Sequence, residues 1–264
     1  MPECGSFHFE TCEELRFARA TERLVLSLFT ILRKNPQKVG LRPGQVALTF
    51  DDGPNLEGNV TPNLLNVLHN HNVKAAFCVV GKQAQRHPET VRRMHYSGHL
   101  LVNHTQNHVH PVRQSTQTLV EEIEACDVSI GSALGIARYR SQFFRVPFGI
   151  VTVAVRRATK RLGVTSVLLS HYGWDTRVGP QNYADVVDAL IANAKQFDGG
   201  MYVLHDGSLC RPRQDDSRDW NLSTENRVWV PDAVDRIIRE LKAAGMSFVL
   251  PRDNNQKQKS RTAA

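Results

Sequence analysis

Thr49-Phe50-Asp51-Asp52-Gly53-Pro54 follows directly on the apolar run Val46-Ala47-Leu48. The run reads as a short buried strand, and Gly53-Pro54 as the turn that ends it. Two neighbouring carboxylates at such a strand end repel each other, and each needs a partner that favours its charged form. Taken alone, the stretch is equally a solvated Asp-Asp turn. The choice between the two readings depends on what the rest of the chain can bring to the same place.

Downstream of this stretch, strand and helix alternate. Thr61-Pro62 reads as a cap with proline at the first helical position, opening a helix to about His71. Ala75–Val80 is a second strand, and a helix over Lys82–Ser97 is interrupted by Pro88 and stopped by Gly98. His99–Asn103 is a third strand. The long helix Ser115–Leu134 closes at Gly135, and the strand Gln142–Val146 follows. Thr152–Leu162 is a helix closed by Gly163, then comes a strand over Thr165–Ser170. The helix Asn182–Gln196, the strand Met201–Leu204, the helix Pro231–Ala244 and the strand Ser247–Leu250 complete the series. Seven strands with short helical connections predict a parallel α/β fold, either an incomplete or distorted (β/α) barrel or an open doubly wound sheet.

The chain has 264 residues, of which 41% are apolar and 22% charged. That is ordinary globular composition, with material for a sizeable core. One catalytic domain over 41–251 is the economical organisation, with a helical extension over 1–40 and a basic tail over 252–264. The net charge of +7 is partly that tail, so nucleic acid is not an expected partner. Cys4, Cys12, Cys78, Cys126 and Cys210 are scattered and odd in number, which argues against a disulfide framework. Leu24–Leu32 is apolar but too short to span a bilayer, which takes about 20 residues. It reads as a packed helix or as a membrane-surface contact. No clear signal peptide is legible, so the sequence reads as cytoplasmic.

The polar residues that could carry chemistry cluster just after predicted strands. His104 and His108 are four apart, so one helical turn would bring both rings to one face. Two imidazoles and a carboxylate make a good divalent-metal set, although the spacing alone is unspecific. His110, two residues on, reads as a bystander. Arg145-Val146-Pro147-Phe148-Gly149 follows the fourth strand, Trp174-Asp175-Thr176-Arg177 the fifth, and His205-Asp206-Gly207 the sixth. In parallel α/β architectures the C-terminal strand ends share one face, and active sites are built there. Seven titratable residues (Asp51, Asp52, His104, His108, Arg145, Asp175 and His205) would then converge.

These motifs, in this order, resemble the polysaccharide deacetylase or NodB-homology family, carbohydrate esterase family four. Thr49–Pro54 matches its T-F-D-D-G-P motif, His104–His108 its H-[ST]-x-x-H motif and Arg145–Gly149 its R-x-P-[FY]-G motif. His205 sits in its final L-x-H motif, with Val203 where the family has Leu. The D-x-x-D-W motif is degraded: Asp175 keeps the second Asp, Thr176 replaces the Trp, and Tyr172 stands at the first Asp. The resemblance spans roughly 44–250. It implies a NodB-like deacetylase barrel and a hydrolase that removes acetyl from an N-acetylated oligo- or polysaccharide of chitin or peptidoglycan type. It implies one divalent metal on Asp52, His104 and His108, Zn2+ first, with Co2+ or Ni2+ as substitutes. It implies Asp51 as base held by Arg145, and His205 as acid tuned by Asp175. Many such relatives are secreted, unlike the cytoplasmic reading above.

Around those residues, Pro147, the backbone of Phe148, Val203, Leu204 and Trp174 are expected to line an oxyanion site and pocket. The long segment after Gly207 holds Trp220 and Trp229, which either stack on a sugar ring or pack as structural anchors. The rival readings are an O-acetyl sugar esterase or small-amide hydrolase on the same site, a two-His-one-carboxylate iron enzyme, and an inactive sugar-binding protein. Intact Asp51, Arg145 and His205 argue against the last.

Overall fold

A computed structural model describes residues 40–167, 171–172, 174–207 and 226–252. Its helices and strands are numbered here from the first described element. The N-terminal extension with Leu24–Leu32, the loop with Trp220 and almost all of the basic tail lie outside those residues.

Among the described residues, eight parallel strands form one sheet. They are β1 (Gln45–Asp51), β2 (Ala76–Val79), β3 (Leu100–Asn103), β4 (Phe143–Phe144), β5 (Thr165–Ser166), β6 (His171–Tyr172), β7 (Gly199–His205) and β8 (Ser247–Phe248). The order is β5-β4-β3-β2-β1-β7-β6, with β8 on β1. Among the described residues no pairing joins β5 to β6, so the barrel is open and distorted. Of the strand expected over Thr165–Ser170, Thr165–Ser166 forms β5, and a further short strand, β6, follows at His171–Tyr172 at the opposite end of that order. This is why eight strands appear where seven periodic runs were legible.

β1 is the centre of the sheet. β7 pairs along its whole length, from Gln45↔Gly199 to Asp51↔His205. Its other edge is shared, with β8 on Gln45 and Val46 and β2 on Thr49 to Asp51. Period-two alternation divides β1 into two faces. Val46, Leu48 and Phe50 join the large core under the helices, whereas Ala47 lies in a smaller inner cluster with Ala76, Cys78, Val102 and Met201. Thr49 and Asp51 share the inner face.

The helices are α1 (Val60–Asn70), α2 (Gly81–Arg86), α3 (Pro88–Tyr96), α4 (Thr116–Leu134), α5 (Val153–Leu162), α6 (Ala184–Gln196) and α7 (Val230–Ala243). Capping residues set several boundaries. Ser115 accepts from the Thr118 N–H and Thr152 from the Val155 N–H, and Gly135 and Gly163 close their helices with positive φ. Pro88 separates α2 from α3. α7 buries Val230, Ala233, Val234, Ile237, Ile238 and Leu241, a helical stripe in which each large side chain contributes about 1.5–3 kcal/mol. Thr61 does not cap α1. The helix starts at Val60, and the Thr61 hydroxyl bonds elsewhere.

Candidate active site

Asp51 ends β1 on the inner face and is buried. Arg145, equally buried after β4, donates from Nη1 to Asp51 Oδ1 at 2.7 Å and to Thr49 Oγ1 at 2.6 Å. Its Nε donates to the Val167 carbonyl at 3.3 Å. Thr49 in turn donates to the Tyr202 carbonyl. Burial alone would raise the Asp51 carboxyl, but Arg145, helped by His104 and His205, holds it below its ordinary value. Asp51 is therefore a carboxylate fixed in one orientation.

Asp52 faces a different set of partners. Its backbone is left-handed, with φ of 72°. Its Oδ1 lies 3.4 Å from His104 Nε2 and 3.2 Å from His108 Nε2. His104 Nδ1 donates to the Arg145 carbonyl at 2.9 Å, which orients the ring and directs Nε2 toward Asp52. Burial pushes His108 down to about 4, so its ring is neutral at ordinary pH. Asp52 Oδ1 is buried and no hydrogen-bond donor reaches it among the described residues. One ligand atom from each of Asp52, His104 and His108 lies within 4.8 Å of the others. A buried carboxylate oxygen without a hydrogen-bond partner among the described residues, facing two imidazole nitrogens, fits a divalent cation.

The two histidines do not share a helical turn. The chain from His104 to His108 is a loop, with left-handed Thr105 (φ 67°) and His108 (φ 53°), and it brings the ring centroids to 5.0 Å. The Asn103 side chain supports it by accepting from the Thr105 N–H.

His205 ends β7 on the same face as Asp51. Its Nδ1–H donates to Asp175 Oδ1 at 2.9 Å, and its backbone N–H donates to Asp175 Oδ2 at 2.6 Å. Burial would lower the imidazole, but the fully buried Asp175 carboxylate outweighs this and holds it at about 9. Arg227 Nη1 donates to the Asp175 carbonyl at 3.0 Å. Sequence reasoning counts this arginine only among the balanced charges of the segment after Gly207, because that segment is aperiodic.

The expected wall residues divide. Phe148 is exposed with φ of 59°, and its ring lies 4.7 Å from both His108 and His110. His110 thus packs on the same ring as His108. Pro147 is buried beneath it. Trp174, with φ of 60°, directly precedes Asp175, and the Arg177 guanidinium covers one face of its ring at 4.1 Å. Val203 shares the inner face of β7 with His205 and pairs with Thr49. Leu204 points the other way, into the core under the helices, because it is one residue out of phase with His205. Trp229 is not a stacking face either. It is 3% exposed, packed in that core and stacked on Tyr183 at 4.9 Å. Its position just before α7 carries it inward with the apolar stripe of that helix.

Comparison with known proteins agrees with this arrangement. The polysaccharide deacetylase family profile matches residues 38–167. The chitooligosaccharide deacetylase of Sinorhizobium fredii is 34% identical over 218 residues, which is 80% of this chain and 95% of that protein. The crystal structure of a peptidoglycan N-acetylglucosamine deacetylase superposes with a TM-score of 0.63 at 28% identity, covering 79% of this chain and 86% of that one. A family 4 acetyl xylan esterase from Clostridium thermocellum, in complex with a cobalt ion, gives 0.62 at 27% identity, covering 78% and 87%. Carboxylates and histidines gathered at the C-terminal ends of parallel strands, together with a relative matched over nearly its whole length, place this chain in the polysaccharide deacetylase family.

Proposed function

We propose that the protein is a metal-dependent hydrolase that removes the acetyl group from an N-acetylated amino sugar in a chitooligosaccharide- or peptidoglycan-type substrate. The observation that carries this reading is the pair of buried ion pairs around one metal-compatible cluster. Asp51 is held charged by Arg145, and His205 is held protonated by Asp175.

Asp52, His104 and His108 would hold the ion, zinc first and cobalt or nickel as substitutes, and it would lower the pKa of a bound water and polarise the acyl oxygen. Asp51 takes the proton of the attacking water, because Arg145 keeps its carboxylate ionised and aimed. The Phe148 backbone N–H, presented by the left-handed turn after Pro147, supports the developing oxyanion. Attack forms the new carbon–oxygen bond, and breaking the carbon–nitrogen bond needs a proton on the departing nitrogen. His205 gives that proton from its imidazolium, leaving acetate and a free amine. An amine leaves far less readily than an alcohol, so a histidine raised to about 9 favours amide over ester chemistry.

With Thr176 in place of the family tryptophan, Phe148 and His110 supply the aromatic rim, and they suit the apolar face of a sugar ring. The test is acetate release from chitin oligomers, peptidoglycan fragments and acetylated xylan, with Asp51→Asn as the blank. Release from an N-acetyl sugar that disappears in the blank supports the reading. Release from xylan alone assigns the site to O-deacetylation instead.

A further inference from the structure

We infer that Asp206 and Thr61, outside the ligand, base and acid set, are positioning residues that brace the turn carrying Asp52. The inference rests on Asp52 being a metal ligand. Asp206 is fully buried immediately after His205. Its Oδ2 accepts from the Thr61 hydroxyl at 2.5 Å, and its Oδ1 has no hydrogen-bond partner among the described residues. A buried carboxyl with one oxygen left without a partner is unfavourable, and its retention calls for a reason.

The reason lies in what it touches. A Cβ on Gly53 would overlap the Asp206 carboxylate, so the carboxylate rests directly on the residue after Asp52. A Cβ on Gly207 would overlap the Asp52 backbone, and the Gly207 N–H donates to the Asp51 carbonyl at 3.2 Å. Only two residues without side chains allow these segments to meet so closely. On the far side, the Asn55 N–H donates to Thr61 Oγ1 at 2.8 Å, and the Thr61 N–H donates to the Asn55 carbonyl at 2.9 Å. The Val80 N–H donates to the Gly53 carbonyl at 3.1 Å. Asp51, Gly53 and Asn55 are thus tied to the segments just after β7 and β2 and to α1, on both sides of Asp52. Its left-handed backbone persists only where the surroundings fix it. The Asp206–Thr61 bond closes that frame from behind the ligand.

Cobalt affinity, read by chelator competition and the visible spectrum of bound Co2+, tests the proposal without an activity assay. Thr61→Val and Asp206→Ala should each weaken affinity roughly ten- to a hundredfold, as removal of groups behind a ligand does. The double variant should lose little more than the worse single one, because the two side chains act through one bond. Asp206→Asn, which can still accept from Thr61, should stay near wild type. Val91→Ala, in the core beneath α3, supplies the control that lowers melting temperature without altering cobalt binding. If Asp206→Ala does not fold, Thr61→Val decides alone. Wild-type cobalt affinity in a folded Thr61→Val overturns the brace. Wild-type affinity in Asp52→Ala, or no binding by the parent protein, overturns the ligand assignment and the brace with it.

Discussion

Asp51 and His205 sit side by side in the register of β1 and β7, each buried and each held by an ion-pair partner from another strand end. The partners drive them to opposite states. Arg145 carries a charge that does not vary, so Asp51 loses its proton readily and stays a base. Asp175 carries the opposite charge, so His205 keeps its proton to about 9 and stays an acid. The same burial acts against both charged forms, and in each case the partner overrides it. The proposed acid and base roles therefore belong to the pairs, and reading either residue without its partner would miss them.

Removing the charge from one pair should have the largest effect. Asp51→Asn is expected to lower kcat about 10³-fold, within the range for a lost general base, while elemental analysis still finds stoichiometric metal. Loss of the metal as well would assign Asp51 to the ligand set and dissolve the contrast. His205→Ala is expected to lower turnover of an N-acetyl sugar about 10²-fold but that of a nitrophenyl acetate only a few-fold. Equal losses on both substrates would mean that His205 is not the proton donor. Asp175→Asn sharpens the comparison through pH. In the proposed mechanism the active form carries a protonated His205, so taking away the carboxylate should bring the alkaline limb of the rate profile down from about 9 toward the ordinary value near 6.5, with roughly a fourfold loss at pH 7. An unmoved limb would detach Asp175 from the acid. The smallest effect is expected from Arg145→Lys. The positive charge remains while the bonds to Thr49 and the Val167 carbonyl go, so the acidic limb should move upward with only a few-fold loss of rate.

Much of this was legible because each chemical residue follows an apolar run. Asp51, Asp52, His104, Arg145 and His205 could be placed on one face of a parallel sheet from pattern alone. What escaped depends on contacts between distant segments. Four-residue spacing fits one helical turn as well as a left-handed loop, so His104 and His108 looked helical. Thr61 before Pro62 has the form of a cap, and nothing local shows that its hydroxyl belongs to Asp206. Trp229 and Leu204 are apolar residues beside a site, and only the phase of their elements shows them facing the core. The separation of β5 from β6 leaves no mark in the sequence, because the apolar run Val167-Leu168-Leu169 between them reads as one continuous strand.

The shared edge of β1 also sets an order of events. Asp52, His104 and His108 are carried by β1 and β3, joined through β2 over a short span of chain. Asp51 meets His205 only when β7 docks along the other edge of β1, a pairing far more distant in sequence. Long loops close slowly, so the local half should form first during refolding. A refolding chain is expected to capture cobalt before it can turn over substrate, and the lag between the two signals would time the arrival of β7.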